Sequence, residues 1–300
     1  MKSCFDELPQ QNEGILSLTL RRWLIQRKFF RRFGRYVDFD SPATFQEKIQ
    51  YRKLFGDHAL YAMLADKYRV RNYVKERVGE DILIPLLGVF DRLSDEVFRG
   101  LPNQFIIKAN HGCKWHKVVQ NKSQLNTAST IRHFNRLLRS NYARVSGEYH
   151  YQLIQPRILV EELLVDHDDS PADYNFFCFH NRTGFEWSLA VTTPRKERFV
   201  YFDGHWNVTE GTCTPEEVER LKKPRNFDRM LDVVEQLSRG FDFLRVDLYN
   251  VAGKILFGEI TPTPASGLRL ISNPVRAAER NSQWELDINN PLLYRRRVAA

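Results

Sequence analysis

Two carboxylates, an arginine and a threonine recur at even spacing in the stretch Phe241 to Leu268, FDFLRVDLYNVAGKILFGEITPTPASGL. The runs FLRVDLY and KILFGEIT are rich in β-branched, aromatic and leucine residues and flank a break containing Ala252 and Gly253, which predicts a β-hairpin. Centred near Gly253, the hairpin sets Asp247 opposite Glu259 and Arg245 opposite Thr261, all on one side of the sheet. Directly opposed carboxylates repel each other. A Mg²⁺ ion between them converts that repulsion into ligation, the more so if a nucleotide phosphate helps to hold it. The plain alternative is that Arg245 and a nearby lysine neutralise an exposed acidic pair.

Other residues with chemistry to offer lie upstream. Lys108 ends an apolar run just ahead of Asn110-His111-Gly112, a turn of the kind that contacts phosphate. Lys67 falls in a segment with helical periodicity, in Asp66-Lys67-Tyr68. The run RILVEELL ends in Glu161-Glu162-Leu163-Leu164, where backbone groups suit an adenine edge and a carboxylate suits an amino group or a ribose. Taken singly, each lysine also reads as a solvated surface residue, and paired glutamates at a strand end are common. His111 and His116 are five residues apart in a loop, a poor template for a metal pair, so His111 is expected to shape the turn or touch phosphate.

The elements that must position these groups alternate between helix and strand. Helices are predicted after Ser41-Pro42, across residues 59–78 up to Gly79, from about 127 to 144, and near 228–238. Strands are predicted within ILIPLLGVF, at 104–109, 117–120 and 157–161, and as an antiparallel series at 174–180, 185–193 and 198–202. With 300 residues and 42% hydrophobic content the chain can bury a sizeable core. Cys4, Cys113, Cys178 and Cys213 are far apart, which argues against a disulfide framework or a zinc site. Asp6, Glu7 and Glu13 precede only a short apolar run, so a secretory signal is not expected and a cytoplasmic location is.

The net charge of +8 is concentrated towards the ends. In LRRWLIQRKFFRRFGRY, Leu18, Ile25, Phe29 and Phe33 fall to one side of a helix ringed by arginines. That pattern fits either an anionic membrane surface at the inner face of the cytoplasmic membrane or a helix that packs its aromatic stripe on the body. Nucleic acid is not the expected partner, because no recognisable nucleic-acid module accompanies the charge.

The order of the pieces is more specific than any one of them. LADKYRVRNYVKERVGEDILIPLLGVFD, LPNQFIIKANHG, PRILVEELL, DYNFFCFHNRTG and the hairpin together resemble the ATP-grasp superfamily, and within it the TupA-like branch named for teichuronopeptide biosynthesis. The resemblance implies an α+β, ATP-grasp fold in which two lobes with antiparallel sheets enclose a nucleotide cleft. It further implies a basic N-terminal segment (1–58), an N-terminal part of the catalytic domain (59–100), a lid (101–162), a core with the metal-binding hairpin (163–285) and a basic tail (286–300). The implied activity is ATP- and Mg²⁺-dependent ligation of a small-molecule or glycan carboxylate to an amine through an acyl phosphate, modifying a capsule or cell-surface polysaccharide beside its assembly machinery. On that reading Lys67, Lys108, His111, Gly112 and Lys114 meet ATP phosphates and Glu161, Glu162, Leu163 and Leu164 form the adenine hinge. Asp247, Glu259 and Thr261 hold Mg²⁺, Arg245 and Lys108 assist catalysis, and Thr263, Ser266 and Gly267 anchor substrate. Two departures stand out: Cys113-Lys114-Trp115-His116 occupies a loop that relatives fill with glycine and serine, and Asn175 in the nucleotide site stands where relatives often carry lysine. The alternatives are a degenerate ATP-binding scaffold and a basic membrane- or polyanion-binding protein.

Overall fold

In a computed structural model, residues 17–165, 170–193 and 198–295 are described. Cys4, the acidic N-terminal residues and the last part of the basic tail, residues 296–300, lie outside them. The chain folds into two antiparallel sheets, each with its own core. The smaller has four strands in the order β1-β4-β2-β3, comprising β1 Leu86–Phe90, β2 Phe105–Ala109, β3 His116–Val119 and β4 Ile158–Glu161. Helices α5 Asp95–Gly100 and α6 Thr127–Leu137 cover one of its faces. Phe98, Phe105, Ile107, Phe134 and Val160 make that core. Strand alternation therefore leaves Ile106 and Lys108 on the other face. The first strand of this sheet lies upstream of the 101–162 span expected for the smaller lobe.

The larger sheet has six strands in the order β10-β9-β5-β6-β7-β8. They are β5 Asp173–Asn181, β6 Gly184–Thr192, β7 Phe199–Phe202, β8 Val208–Gly211, β9 Phe243–Val251 and β10 Lys254–Thr261. Helix α9, Phe227–Ser238, places Met230, Val233, Val234 and Leu237 in one core with Phe176, Leu244 and Val246. The opposite face carries the other parity. Along β9 it reads Phe243, Arg245, Asp247, Tyr249, and along β5 it reads Phe179, Phe177, Asn175, Asp173. At one end of this face Phe177, Phe179 and Phe243 pack with Phe45, Ile49 and Trp284.

Helix α2, Phe45–Phe55, is the internal strut. Thr44 caps it and Glu47 completes a capping box, with Pro42 just ahead of the cap. The helix is buried on all sides, so its polar side chains must find partners inside. Arg52 pairs with Asp242 and donates to the carbonyls of Phe243 (2.8 Å) and Pro262 (2.9 Å). Lys48 Nζ donates to Asn281 O (2.6 Å) and Lys53 Nζ to Ser266 O (3.2 Å). Both ends of the hairpin and the segment after it are thereby fixed to one element.

The helix predicted over 59–78 is two helices, α3 His58–Ala65 and α4 Val70–Val78. Asp66 breaks it, because its carboxylate accepts from the Tyr68 amide (2.9 Å) and from Asn110 Nδ2 (2.9 Å). The 127–144 helix likewise divides into α6 and α7 Tyr142–Ser146. The segment 215–224 contains the short helix α8, Pro215–Arg220. Helix α1, Leu18–Phe33, resolves the two readings of the basic segment in part: Ile25 and Phe29 are buried and Phe33 packs beside them. Leu18, expected on that stripe, is exposed. Several of its cations serve the fold, with Lys28 Nζ donating to Val145 O (2.6 Å) and Arg32 Nε to Leu268 O (3.0 Å). Among the described residues no helix is long and apolar enough to cross a membrane. Helix α10, Pro274–Gln283, closes the larger lobe.

Candidate active site

The β9–β10 hairpin turns at Ala252-Gly253, both with positive φ (49° and 82°), as a two-residue turn of the primed kind requires. Near the turn Lys254 pairs with Val251 and Phe257 with Leu248. Continued unchanged, that register would set Gly258 opposite Asp247 and turn Glu259 to the far face. A bulge between Phe257 and Glu259 shifts it by one residue, so Glu259 faces Asp247 and Thr261 faces Arg245. The glycine at 258 is required sterically, since a Cβ there would lie 2.9 Å from the Asp247 carbonyl oxygen.

Arg245 occupies the middle of the group. Its Nε and Nη2 donate to Asp247 Oδ1 (2.8 Å) and Oδ2 (2.6 Å), and Nη2 also reaches Glu259 Oε1 (2.9 Å) and Thr261 Oγ1 (3.1 Å). Burial pushes Asp247 up to about 7, Arg245 pulls it down and Glu259 pushes it up again. One guanidinium between two carboxylates leaves the cluster short of positive charge.

The smaller lobe faces this cluster across a cleft of about 230 Å³, lined by Lys67, Lys108, Lys114, Asn175, Asp247 and Glu259 among others. Lys108 projects from the end of β2 and pairs with Glu161 Oε2 at 2.5 Å, while Arg71 reaches Glu161 Oε1 at 3.3 Å. Both oxygens of Glu161 are thus engaged by cations from its own lobe. Lys67 does not sit within a helix; it lies in the break between α3 and α4, and its Nζ donates to Gly112 O (2.8 Å). Buried Asn110 holds that break in place. Its Nδ2 donates to Asp66 and to Gln155 O (2.9 Å), and its Oδ1 accepts from the Arg157 amide (2.7 Å). Continuous with the cleft is an apolar recess of about 210 Å³ walled by Ile84, Ile106, Val118, Glu162, Leu163 and Leu164.

The loop after Asn110 is folded in upon itself. Trp115 packs 5.1 Å from the His111 ring and 5.6 Å from Tyr142, and a Cβ on Gly112 would meet it at 2.4 Å. His111 is buried and donates from Nε2 to the Leu137 carbonyl (3.0 Å), with burial lowering its affinity for protons. It shapes the turn and does not reach the cleft, so a phosphate contact from its ring is excluded in this conformation. Lys114, at φ 61°, is exposed and does line the cleft. Asn175 sits beside Asp247 in the sheet and donates to Asp173 O (3.1 Å).

Of the residues expected to anchor substrate, Thr263 is buried and donates its hydroxyl to Glu148 Oε1 (2.5 Å), and Ser266 donates to Ser146 O (2.8 Å). Their hydroxyls hold the loop together, whereas Gly267 reaches the wall of a second cavity on the other side of Arg245. Sequence reasoning missed Arg71, Asn110, Asp173 and Tyr249. Arg71 stands four residues after Lys67, and Tyr249 continues the two-residue series Arg245-Asp247, so spacing pointed to both.

No curated protein sequence matches the chain. Among solved structures, D-alanine-D-alanine ligase from Helicobacter pylori aligns at 14% identity and TM-score 0.46, over 74% of this chain and 61% of the other. Phosphoribosylamine–glycine ligase from Thermotoga maritima aligns at 16% identity and TM-score 0.42, over 79% and 59%. N5-carboxyaminoimidazole synthetase from Staphylococcus aureus, complexed with ADP, aligns at 11% identity and TM-score 0.38, over 67% and 44%. The chain therefore spans about 61% or less of the length of these three structures. The family model for TupA-like ATP-grasp proteins matches residues 47–274, which include every strand of both sheets and both walls of the cleft, and the chain belongs to that family.

Proposed function

We propose that the protein is a carboxylate–amine ligase that activates its carboxyl substrate as an acyl phosphate. ATP-grasp enzymes use ATP and Mg²⁺. The observation that carries the reading is the bulge at Gly258, which brings Glu259 opposite Asp247 on the face that meets Lys67 and Lys108 across the cleft. The donor set fits a hard cation: two carboxylates and the Thr261 hydroxyl, with Asp247 pushed up to about 7 chiefly by burial. When bound there, Mg²⁺ supplies charge neutralisation and polarisation of the phosphoryl group.

The protein's own residues do the remainder. Lys67, Lys108 and Lys114 offset phosphate charge, and the Glu162–Leu164 segment with Ile84 and Ile106 offers the base an apolar recess with backbone groups at its edge. The smaller lobe, from about residue 86, serves as the lid. A substrate carboxylate oxygen bonds the γ-phosphorus as ADP leaves; the amine nitrogen then bonds the carbonyl carbon as phosphate leaves, and a proton is released. Arg245 offsets charge on the tetrahedral intermediate, a role that its bordering of the cleft supports. Exclusion of water by the closed lobes protects the acyl phosphate.

The carboxyl group belongs to an amino acid or a uronic acid, and the amine to a precursor of a capsule or cell-surface polysaccharide; the family's association with teichuronopeptide supports this class. Exposed Trp23 and Phe30 on α1 (54% and 44%), with the exposed arginines of the same helix around them, support contact with the cytoplasmic face of the membrane where such precursors are assembled.

The test is hydroxylamine trapping with Mg-ATP and either glutamate or glucuronate. The reading expects hydroxamate and ADP in equal amounts. ATP binding without ADP release would favour the second reading, a degenerate scaffold, for which Trp115 lying over Gly112 is the supporting observation.

A further inference from the structure

Behind Arg245, away from the lysines, lies a second cavity of about 270 Å³. It is built where the N-terminal end of α2, the outer strands β7 and β8 and the helix α10 converge. Three further guanidiniums line it, those of Arg269, Arg276 and Arg280. Each is stacked on a ring: Arg280 lies 3.5 Å from the centroid of Phe177, Arg276 3.8 Å from that of Tyr201 and Arg269 4.6 Å from that of Phe199. Stacking fixes the planes and leaves the N–H edges to face an acceptor.

Acceptors are scarce. Glu210, paired with Arg276 at 2.5 Å, is the one carboxylate in the cavity wall among the described residues. Arg280 is 3% exposed, and its Nε and Nη2 have no hydrogen-bond partner among the described residues; Arg276 Nε has none either. Burial pushes the Arg280 guanidinium down to about 10; Tyr201 pulls it up and the neighbouring Arg276 and Arg269 push it further down. Arg245 borders the cavity too, with Asp247 and Glu259 engaging its Nε and Nη2. Buried donors left unpaired are costly, and a planar fork beside them is matched by a carboxylate or a phosphate, which accepts two parallel hydrogen bonds.

We propose that this cavity holds the carboxyl substrate and selects one with a second anionic group, which Arg269, Arg276 and Arg280 bind while the first carboxylate meets Arg245. The substrate is therefore a small dianion, with a carboxylate at the reacting end and a carboxylate or phosphate at the other. That the end at Arg245 is the reacting one rests on the ligase reading; the affinity for dianions does not.

The experiment is calorimetric titration of the full chain, without nucleotide, using glutarate, 4-phosphonobutyrate and butyrate. Glutarate and 4-phosphonobutyrate distinguish the two forms of the second group. The stronger of them should bind at least tenfold more tightly than butyrate, and Arg280→Met should abolish that preference. Arg269→Gln, at the exposed rim, should weaken dianion binding several-fold and keeps the test decisive if Arg280→Met does not fold. Neither variant should alter Mg-ATP affinity. Equal binding of all three probes, or dianion binding untouched by both variants, would overturn the proposal. Dianion binding in a protein that binds no Mg-ATP would instead contradict the ligase reading and leave this pocket standing.

Discussion

Arg245 and Arg280 are guanidiniums in the walls of adjoining cavities, and they differ in what surrounds them. Arg245 sits among two carboxylates and a hydroxyl that take up its hydrogen bonds, while Arg280 is buried among aromatic rings with two nitrogens unmatched. The first arrangement is short of positive charge and suits a cation; the second has positive charge to spare and suits an anion. On the proposed ligase reading both are needed, the nucleotide bringing metal and phosphate to one side and the carboxyl substrate entering on the other. Arg245 borders both cavities, so on that reading it stands between the two reactants.

Removing Arg245 should separate the two sides most sharply. Arg245→Met is expected to lower ADP release by about 10²- to 10³-fold, the usual cost of losing one donor to a developing oxyanion. Mg-ATP affinity should hold or rise, since Asp247 and Glu259 are then released to the metal. Initial-rate kinetics beside equilibrium binding checks this, and an equal loss in both would deny Arg245 its place between the cavities.

Gly258→Ala tests the register on which the cleft depends. Its Cβ would press on the Asp247 carbonyl, so a loss of about 1–3 kcal/mol is expected in denaturant unfolding, together with weaker Mg²⁺ dependence of ATP binding. Gly100→Ala, where a Cβ meets nothing within 4 Å, is the control and should show neither effect.

Proton competition gives a smaller, graded effect. Asp247 takes up a proton as pH falls through about 7, so Mg²⁺ affinity should decline by about tenfold per unit below that point and level off above it. Without metal the sign for stability is the reverse. The carboxyl is protonated in the folded chain but ionised in the unfolded one between its ordinary range and about 7, so its contribution to stability falls as pH rises across that window. A titration of Mg²⁺ affinity against pH that is flat from 6 to 8 would contradict the assignment.

The smallest effect expected is at the surface. Trp23→Ala with Phe30→Ala should reduce binding to anionic vesicles several-fold in a sedimentation assay and leave ligation intact, because the same helix anchors itself through buried Ile25 and Phe29. Deleting the helix would not be a clean test, since it would expose that core.

The two cavities were unequally legible in the sequence. The cleft lies on regular strands, where side chains at two-residue spacing share a face, so Arg245, Asp247, Glu259 and Thr261 could be grouped from their numbers. Even there the correct pairing hides a compensation, because the turn is centred between Ala252 and Gly253 and the bulge at Gly258 restores the match. Lys67 was placed in a helix because periodicity cannot register a side-chain contact such as Asp66 to Asn110, made across 44 residues. For His111, shaping the turn and touching phosphate both stayed open, because sequence does not show which way a turn folds. The arginine cavity was not legible at all. Arg276 and Arg280 are four apart on α10, the spacing of an ordinary solvated face, and the rings they stack on come from β5 and β7.

The most direct measurement is calorimetric titration of ATP, with and without Mg²⁺, into the wild type and into an Asp247→Asn, Glu259→Gln double variant. The account predicts Mg²⁺-dependent binding to the wild type and loss of the Mg²⁺ increment, by about 100-fold or more, in the variant. An equal increment in both proteins would show that the hairpin carboxylates do not hold the metal.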